Sequence, residues 1–186
     1  AWFDGTDDFI KGTNDPGYAT TWSLVARVRR ENTDERDTIF SQGPTNSATG
    51  DFMCHLGFSR EGDGIMDARM LDVEDDNEWV YSAAAEAILD DGDWHDVAYV
   101  WTNGITKASM QFWVDGVLYP PSSAYSPAPP LNDSPHPITV GARADFVGLP
   151  LTAYPYCFDG DLDGIAFYWR VLSSQELVQC RENMPW

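Results

Sequence analysis

Asp159-Gly160-Asp161-Leu162-Asp163-Gly164 sets three carboxylates at alternate positions ahead of a glycine, the stretch of this chain whose spacing comes nearest to a known chemistry. Oxygens spaced in this way can fold around a hard cation such as Ca²⁺. A helix–loop–helix calcium hand also needs a bidentate Glu at the twelfth position, and here that position is Arg170. Ile165 to Trp169 moreover reads as a strand, so the stretch is not such a hand. Asp7, Asp8, Asp90, Asp91 and Asp93 read as solvated turn residues. His55, His95 and His136 are scattered, and neither a nucleophile elbow, a zinc-ligating helix nor a paired Cys-His motif occurs.

The other signal with chemical content is aromatic. The chain holds eight Trp, eight Tyr and nine Phe, and flat rings can stack on the apolar C–H faces of sugars while neighbouring Asp or Asn bind hydroxyls. Trp113 is the first candidate ligand-binding ring, because Phe112 and Val114 flank it in a strand and face the opposite way. Trp79, Tyr81, Tyr125 and Tyr154 follow. The competing role for each is packing inside the fold or at a subunit contact.

The elements that would position these residues are strands. Trp22, Leu24, Ala26 and Val28 alternate with Ser23, Val25, Arg27 and Arg29, which predicts a half-buried strand. Thr38-Ile39-Phe40, Phe52 to Phe58, Ile65 to Val73 and Trp79 to Ile88 read as further strands, with Ala83 to Ala87 expected to stay extended despite its helical propensity. Val97, Tyr99 and Trp101 share one face of the next strand; Ala98 and Val100 share the other. Turn signals stand at Asn103-Gly104 and Asp115-Gly116. Pro120 to Pro137 holds seven prolines and reads as a surface excursion, a candidate contact loop. Ile138 to Ala142 and Phe158 to Trp169 resume the sheet. Ser173 and Glu176 then form a capping box, with Leu172 and Leu177 as a staple, for a short helix over about residues 174 to 182. The expectation is one all-β domain over residues 1–186: an antiparallel β-sandwich with a short C-terminal helix.

At 186 residues a single globule buries enough surface to need no disulfide framework. The formal charge of −19 argues against nucleic acid and anionic lipid as partners. No run is long and apolar enough for a transmembrane helix, and no signal peptide is visible. Ala1 leads at once into strand-like residues, which suits a processed chain or one lacking only its initiator Met. Cys54 alternates with Phe52, Leu56 and Phe58 and reads as a buried small hydrophobe.

Gly92-Asp93-Trp94-His95-Asp96-Val97-Ala98 followed by Phe112-Trp113-Val114-Asp115-Gly116 resembles the signature of laminin-G-like jelly rolls in the concanavalin A-like lectin and glucanase superfamily. Trp2 to Ile10 resembles the opening strand and turn of those domains, and Phe158 to Tyr168 their closing strand. The matches keep the family order over nearly the whole chain.

This resemblance implies a jelly-roll sandwich acting as a lectin-like binding or surface-contact module, for glycan recognition or adhesion. A structural role decorating a virus particle or other assembly is the alternative, and a glycan hydrolase or lyase a third. It implies a structural calcium held by Asp163 of the closing strand with Asp4 and Gly5 of the opening turn. A terminal disulfide, found in some relatives, leaves Cys157–Cys180 open as a pair. Glu74, Asp76 and Glu78 repeat the carboxylate spacing of related endoglucanases, but Asp75 and Asn77 replace the apolar residues between them, so no catalytic residue is assigned. Implied partners are a glycan or an assembly surface, with a homo-oligomer compatible, and the implied location is extracellular or on a virion.

Overall fold

Strict alternation of apolar and polar side chains builds this protein as two pleated layers. The computed structural model describes residues 1–12, 21–31, 37–42, 53–58, 66–72, 77–83, 89, 91–102, 109–121, 123–124, 137–143 and 156–183. The strands in chain order are β1 (Trp2–Asp4), β2 (Ile10–Lys11), β3 (Trp22–Arg30), β4 (Thr38–Gln42), β5 (Met53–Phe58), β6 (Met66–Asp72) and β7 (Asn77–Ala83). They continue with β8 (His95–Trp101), β9 (Met110–Val114), β10 (Val117–Tyr119), β11 (Ser123–Ala124), β12 (Ile138–Val140) and β13 (Asp159–Tyr168), before helix α1 (Ser174–Asn183). One sheet has six strands in the order β1-β13-β3-β8-β9-β10; the other has seven, β11-β7-β6-β5-β4-β12-β2. Every strand pairing among the described residues is antiparallel, as in a jelly-roll sandwich.

Between the sheets lie Trp22, Leu24, Ala26 and Val28 of β3, Val97, Tyr99 and Trp101 of β8, and Phe112 and Val114 of β9. They meet Ile39, Phe40, Cys54, Leu56, Phe58 and Ala68 of the opposing sheet. Phe167 ties the layers together, with ring centroids 5.5 Å from Trp22 and 5.7 Å from Phe40. Two polar contacts cross the same space. The Tyr99 hydroxyl donates to the Gly57 carbonyl at 2.7 Å, and the fully buried Arg30 guanidinium meets Asp37 at 2.9 Å while lying over the Phe58 ring. Burial pushes the Asp37 carboxyl up to about 7 against the pull of Arg30.

Ala98 and Val100 of β8, with Val25 of β3, line the outer face of the six-stranded sheet and form a second apolar cluster with Leu172 and Leu177. The capping box starts α1 as its residue types require. The Ser173 N–H donates to Glu176 Oε2 at 2.9 Å, and the Glu176 N–H donates to Ser173 Oγ at 3.3 Å. Leu172 and Leu177 thereby seat the helix on the sheet. In the β9–β10 hairpin, Asp115 and Gly116 take φ values of 50° and 80°, the left-handed pair that a tight two-residue connection demands.

Two expectations need correction. Cys157 and Cys180 do not pair: the Cys157 thiol donates to the Thr6 carbonyl at 3.3 Å, and Cys180 Sγ lies 3.5 Å from the Tyr168 hydroxyl. The strand at Trp79 begins earlier, at Asn77, and is described as far as Ala83; residues 84 to 88 of the expected strand lie outside the described residues. Asn103-Gly104 and most of the proline-rich stretch also lie outside them.

Candidate functional site

Capping places Glu176, Gln179, Cys180 and Asn183 on one side of α1, at spacings of three, four and seven residues. That side faces the end of β13, and a groove of about 520 Å³ opens between them. Its floor is Gly164, Ile165, Ala166, Tyr168 and Leu172; its walls are Arg170, Glu176, Gln179, Cys180 and Asn183. This volume lies in the range of small-ligand sites, about 300–1,000 Å³. Glu176 is held from two sides: Ser173 donates through its backbone N–H and its hydroxyl, and Arg170 reaches Oε1 at 2.6 Å. The Ser173 hydrogen bonds, then Arg170, hold the Glu176 carboxyl below its ordinary range. The Tyr168 hydroxyl is raised above its ordinary value by its contact with Cys180 and then by burial. Apolar floor, one ring and neutral amides suit the stacking and hydroxyl binding of a sugar.

The predicted ring, Trp113, does face away from the core, but α1 covers it. It packs against the cluster of Val25, Ala98, Leu172 and Leu177, and its Nε1 donates to Gln111 at 3.3 Å. The crevice beside it holds about 20 Å³, room for a water and not for a sugar ring. In the register, Tyr81 stands opposite Ala68 and Trp79 opposite Met70, in rows shared with the core residues Leu56 and Cys54. Tyr125 and Tyr154 lie outside the described residues, as do Glu74 and Asp76. Among the described residues that line the groove, none is a ring singled out from sequence. Its signal was the spacing on α1.

The opening turn departs from its expectation in a different way. β1 pairs Asp4 with Asp159, while Asp163 lies four residues further along β13, about 13 Å at strand rise. Asp163 stands opposite Arg27 at a bulge and accepts the Gly164 N–H at 2.9 Å, so it is remote from Asp4 and Gly5. Extension of β13 gives each carboxylate a separate neighbour: Asp159 meets the turn, Asp161 accepts Arg29 Nε at 3.1 Å, and Asp163 caps the bulge. Three acids dealt out along a strand cannot wrap one ion. At the turn itself, Gly5 has φ 73°, and a Cβ there would come within 3.0 Å of Asp159 Cβ. Asp4, Asp7 and Asp8 each present a carboxylate oxygen, all within 4.8 Å of one another. Thr6 N–H donates to Asp4, and Asp4 N–H to Asp8. Asp7 is exposed and Asp8 half-exposed, as turn residues are, and with Asp4 they form one cluster. Neighbouring groups register its charge. Burial first, then Asp7, Asp4 and Asp8, push the Cys157 thiol up to about 11; burial, Glu31 and Asp4 raise the Asp159 carboxyl.

A third cluster joins the two signature stretches. His95 Nδ1 lies 2.7 Å from Asp115 and Nε2 2.9 Å from Asp91, with the ring nearly buried. Asp115 also accepts the Asp96 N–H at 3.1 Å. Burial opposes the charged imidazole, yet its hydrogen bonds to the two accepting carboxylates outweigh it and raise the His95 value. Asp91, read from sequence as a solvated turn residue, is one jaw of this clamp.

A family model described as the concanavalin A-like lectin/glucanases superfamily, of laminin-G type, matches residues 4–178. Among solved structures, NanB with Optactamide superposes with a TM-score of 0.68 at 12% identity, covering 96% of this chain and 26% of that one. This chain thus spans about a quarter of that relative. The CBM40 of Ruminococcus gnavus IT-sialidase bound to α2,3 sialyllactose gives 0.58 at 14% identity, covering 95% of both chains. Domains LG4-5 of the mouse laminin α1 chain give 0.60 at 16%, covering 92% of this chain and 43% of that one. These likenesses are of fold. No curated protein matches the chain in sequence.

Proposed function

The chain belongs to the concanavalin A-like lectin/glucanase superfamily, and from that membership we propose that it is a non-catalytic, extracellular glycan-binding module. The observation that carries this reading is the groove between β13 and α1, open to solvent and lined by Tyr168, Arg170, Gln179 and Asn183 around an apolar floor. A sugar would lay its C–H face on Tyr168 and Ala166 and turn its hydroxyls to the amides of the helix. That a solved structure of matching length is bound to a glycan, sialyllactose, supports glycans as the broad ligand class, without its acidic sugar being carried over. No helix among the described residues is long and apolar enough to cross a membrane.

A structural calcium belongs to the same proposal, with its place moved from Asp163 to Asp4, Asp7 and Asp8. Clustered carboxylate oxygens are the donor set of a hard cation, and their charge is registered by Cys157 and Asp159. Bound there, the ion would pin the opening turn against β13.

The assembly reading draws on one observation: β10 ends the six-stranded sheet with Val117 and Leu118 exposed, beside an exposed Val178 on α1. That edge suits contact with a shell or a second copy.

A glycan array probed with and without chelator, together with alkylation of Cys180, tests the proposal. Cys54 and Cys157 are buried and Cys180 lines the groove, so an iodoacetamide label reports occupancy there. A bound glycan is expected to slow Cys180 labelling severalfold. Absence of any glycan hit, with a defined trimer or larger assembly in solution, would replace this reading with the assembly role.

A further inference from the structure

Resting on the glycan reading above, we propose that the groove between β13 and α1 selects uncharged sugars and turns away glycans that carry a carboxylate or sulfate. Arg170 is the one cation among the described residues lining the groove, and it already faces a carboxylate. Its Nη1 lies 2.6 Å from Glu176 Oε1. Glu176 cannot swing aside without loss elsewhere, because its Oε2 takes both the Ser173 N–H at 2.9 Å and the Ser173 hydroxyl at 2.8 Å. An anionic sugar reaching for Arg170 therefore meets a guanidinium whose charge Glu176 already balances.

No second cation waits nearby on the helix: Arg181 points to Asp96 at 3.0 Å. The remaining polar groups of the walls, the amides of Gln179 and Asn183 and the Tyr168 hydroxyl, are neutral donors and acceptors that match sugar hydroxyls. Around this locally balanced groove the chain as a whole carries −19. Its field opposes approach of an anion and decays over about 8 Å at physiological ionic strength.

Glu176→Gln separates the two duties of this residue. Glutamine serves the same position of a capping box, so the helix start is kept while the charge facing Arg170 is removed. The test titrates a neutral oligosaccharide and its sialylated counterpart into wild type and E176Q, at low and high salt, reading affinity and Cys180 labelling together. Wild type is expected to prefer the neutral sugar by about tenfold at low salt, with the gap narrowing as salt screens the field. E176Q should gain roughly fivefold for the sialylated sugar once Arg170 is released. Tighter binding of the sialylated sugar by wild type, with Cys180 protected, would overturn the selectivity and leave the glycan reading intact; so would an unchanged neutral-to-acidic ratio in E176Q. If neither sugar binds or shields Cys180, the glycan reading fails and this inference fails with it.

Discussion

The opening turn and the β9–β10 hairpin both gather aspartates, and the two places use them in opposite ways. In the turn, Asp4, Asp7 and Asp8 face one another with backbone N–H groups as the recorded partners of Asp4 and Asp8. At the hairpin, its own Asp115 and Asp91 from the turn ahead of β8 face a histidine ring that can carry charge. The effects on neighbours have opposite consequences. Acidic charge around the turn raises Asp159 and Cys157, both held away from ionisation, whereas at the hairpin it favours ionised His95. What carboxylates contribute is therefore set by what stands opposite them: one cluster lacks a cation among its described partners, and the other is its own ion pair.

The largest effect that would break this contrast lies in the hairpin. Asp115→Ala removes the acceptor for His95 and for the Asp96 N–H, and leaves a residue with a Cβ at φ 50°. The expected loss is about 2–4 kcal/mol in chemical denaturation. Asp115→Asn tolerates the left-handed conformation and retains an acceptor, so it should lose about half as much. Equal losses in the two variants would mean that charge matters more at this position than backbone shape.

Next in size is the response of the opening turn to calcium. For a site with the affinity of extracellular modules, about 2 mM Ca²⁺ should stabilise the wild type by about 0.6–1.8 kcal/mol. Asp4→Asn should abolish that gain and change little in chelator, because Asn can still accept the Thr6 N–H. Asp163→Ala should respond to calcium as wild type does, losing only its contact with the Gly164 N–H in both buffers. Paired melts in calcium and EGTA would return the ion to Asp163 if that variant alone lost the response.

Much of this architecture was written in local pattern. The β3 alternation told the inter-sheet face from the outer face, since one side of a strand meets the core and the other does not, although Ser23 and Val25 of the outer face are buried as well, Val25 in the cluster under α1. The capping box and staple located α1 to within a residue of its end. What local pattern could not supply was where distant elements dock. Trp113 was assigned to the right face, yet its access depends on a helix some sixty residues later settling on that face. Asp163 was expected beside the opening turn, but the β1–β13 register sets Asp159 there, because a resemblance identifies the strand and not the register. The groove went unseen for the same reason: Tyr168 ends a strand, Gln179 and Asn183 lie on a helix, and only the chain reversal through Leu172 brings them together.

The smallest expected effect is the pH dependence of the hairpin, and it sharpens the contrast most. A histidine with a raised folded value stabilises fully below its unfolded value near 6.5, and that contribution fades as pH rises through the folded value. Melting temperature should accordingly drift downward from about pH 6 to pH 8. Asp37, buried and raised to about 7, drives the slope the same way: protonated below that value, it must take on a buried charge as pH climbs. His95→Gln separates the two, because it removes the hairpin's titration and leaves the Asp37 part untouched. Subtracting its pH profile from that of wild type should leave a decline centred above pH 6.5, where histidine ordinarily titrates. A flat difference would mean that Asp91 and Asp115 hold a neutral ring, and that the hairpin, like the opening turn, keeps its acids without a cation of its own.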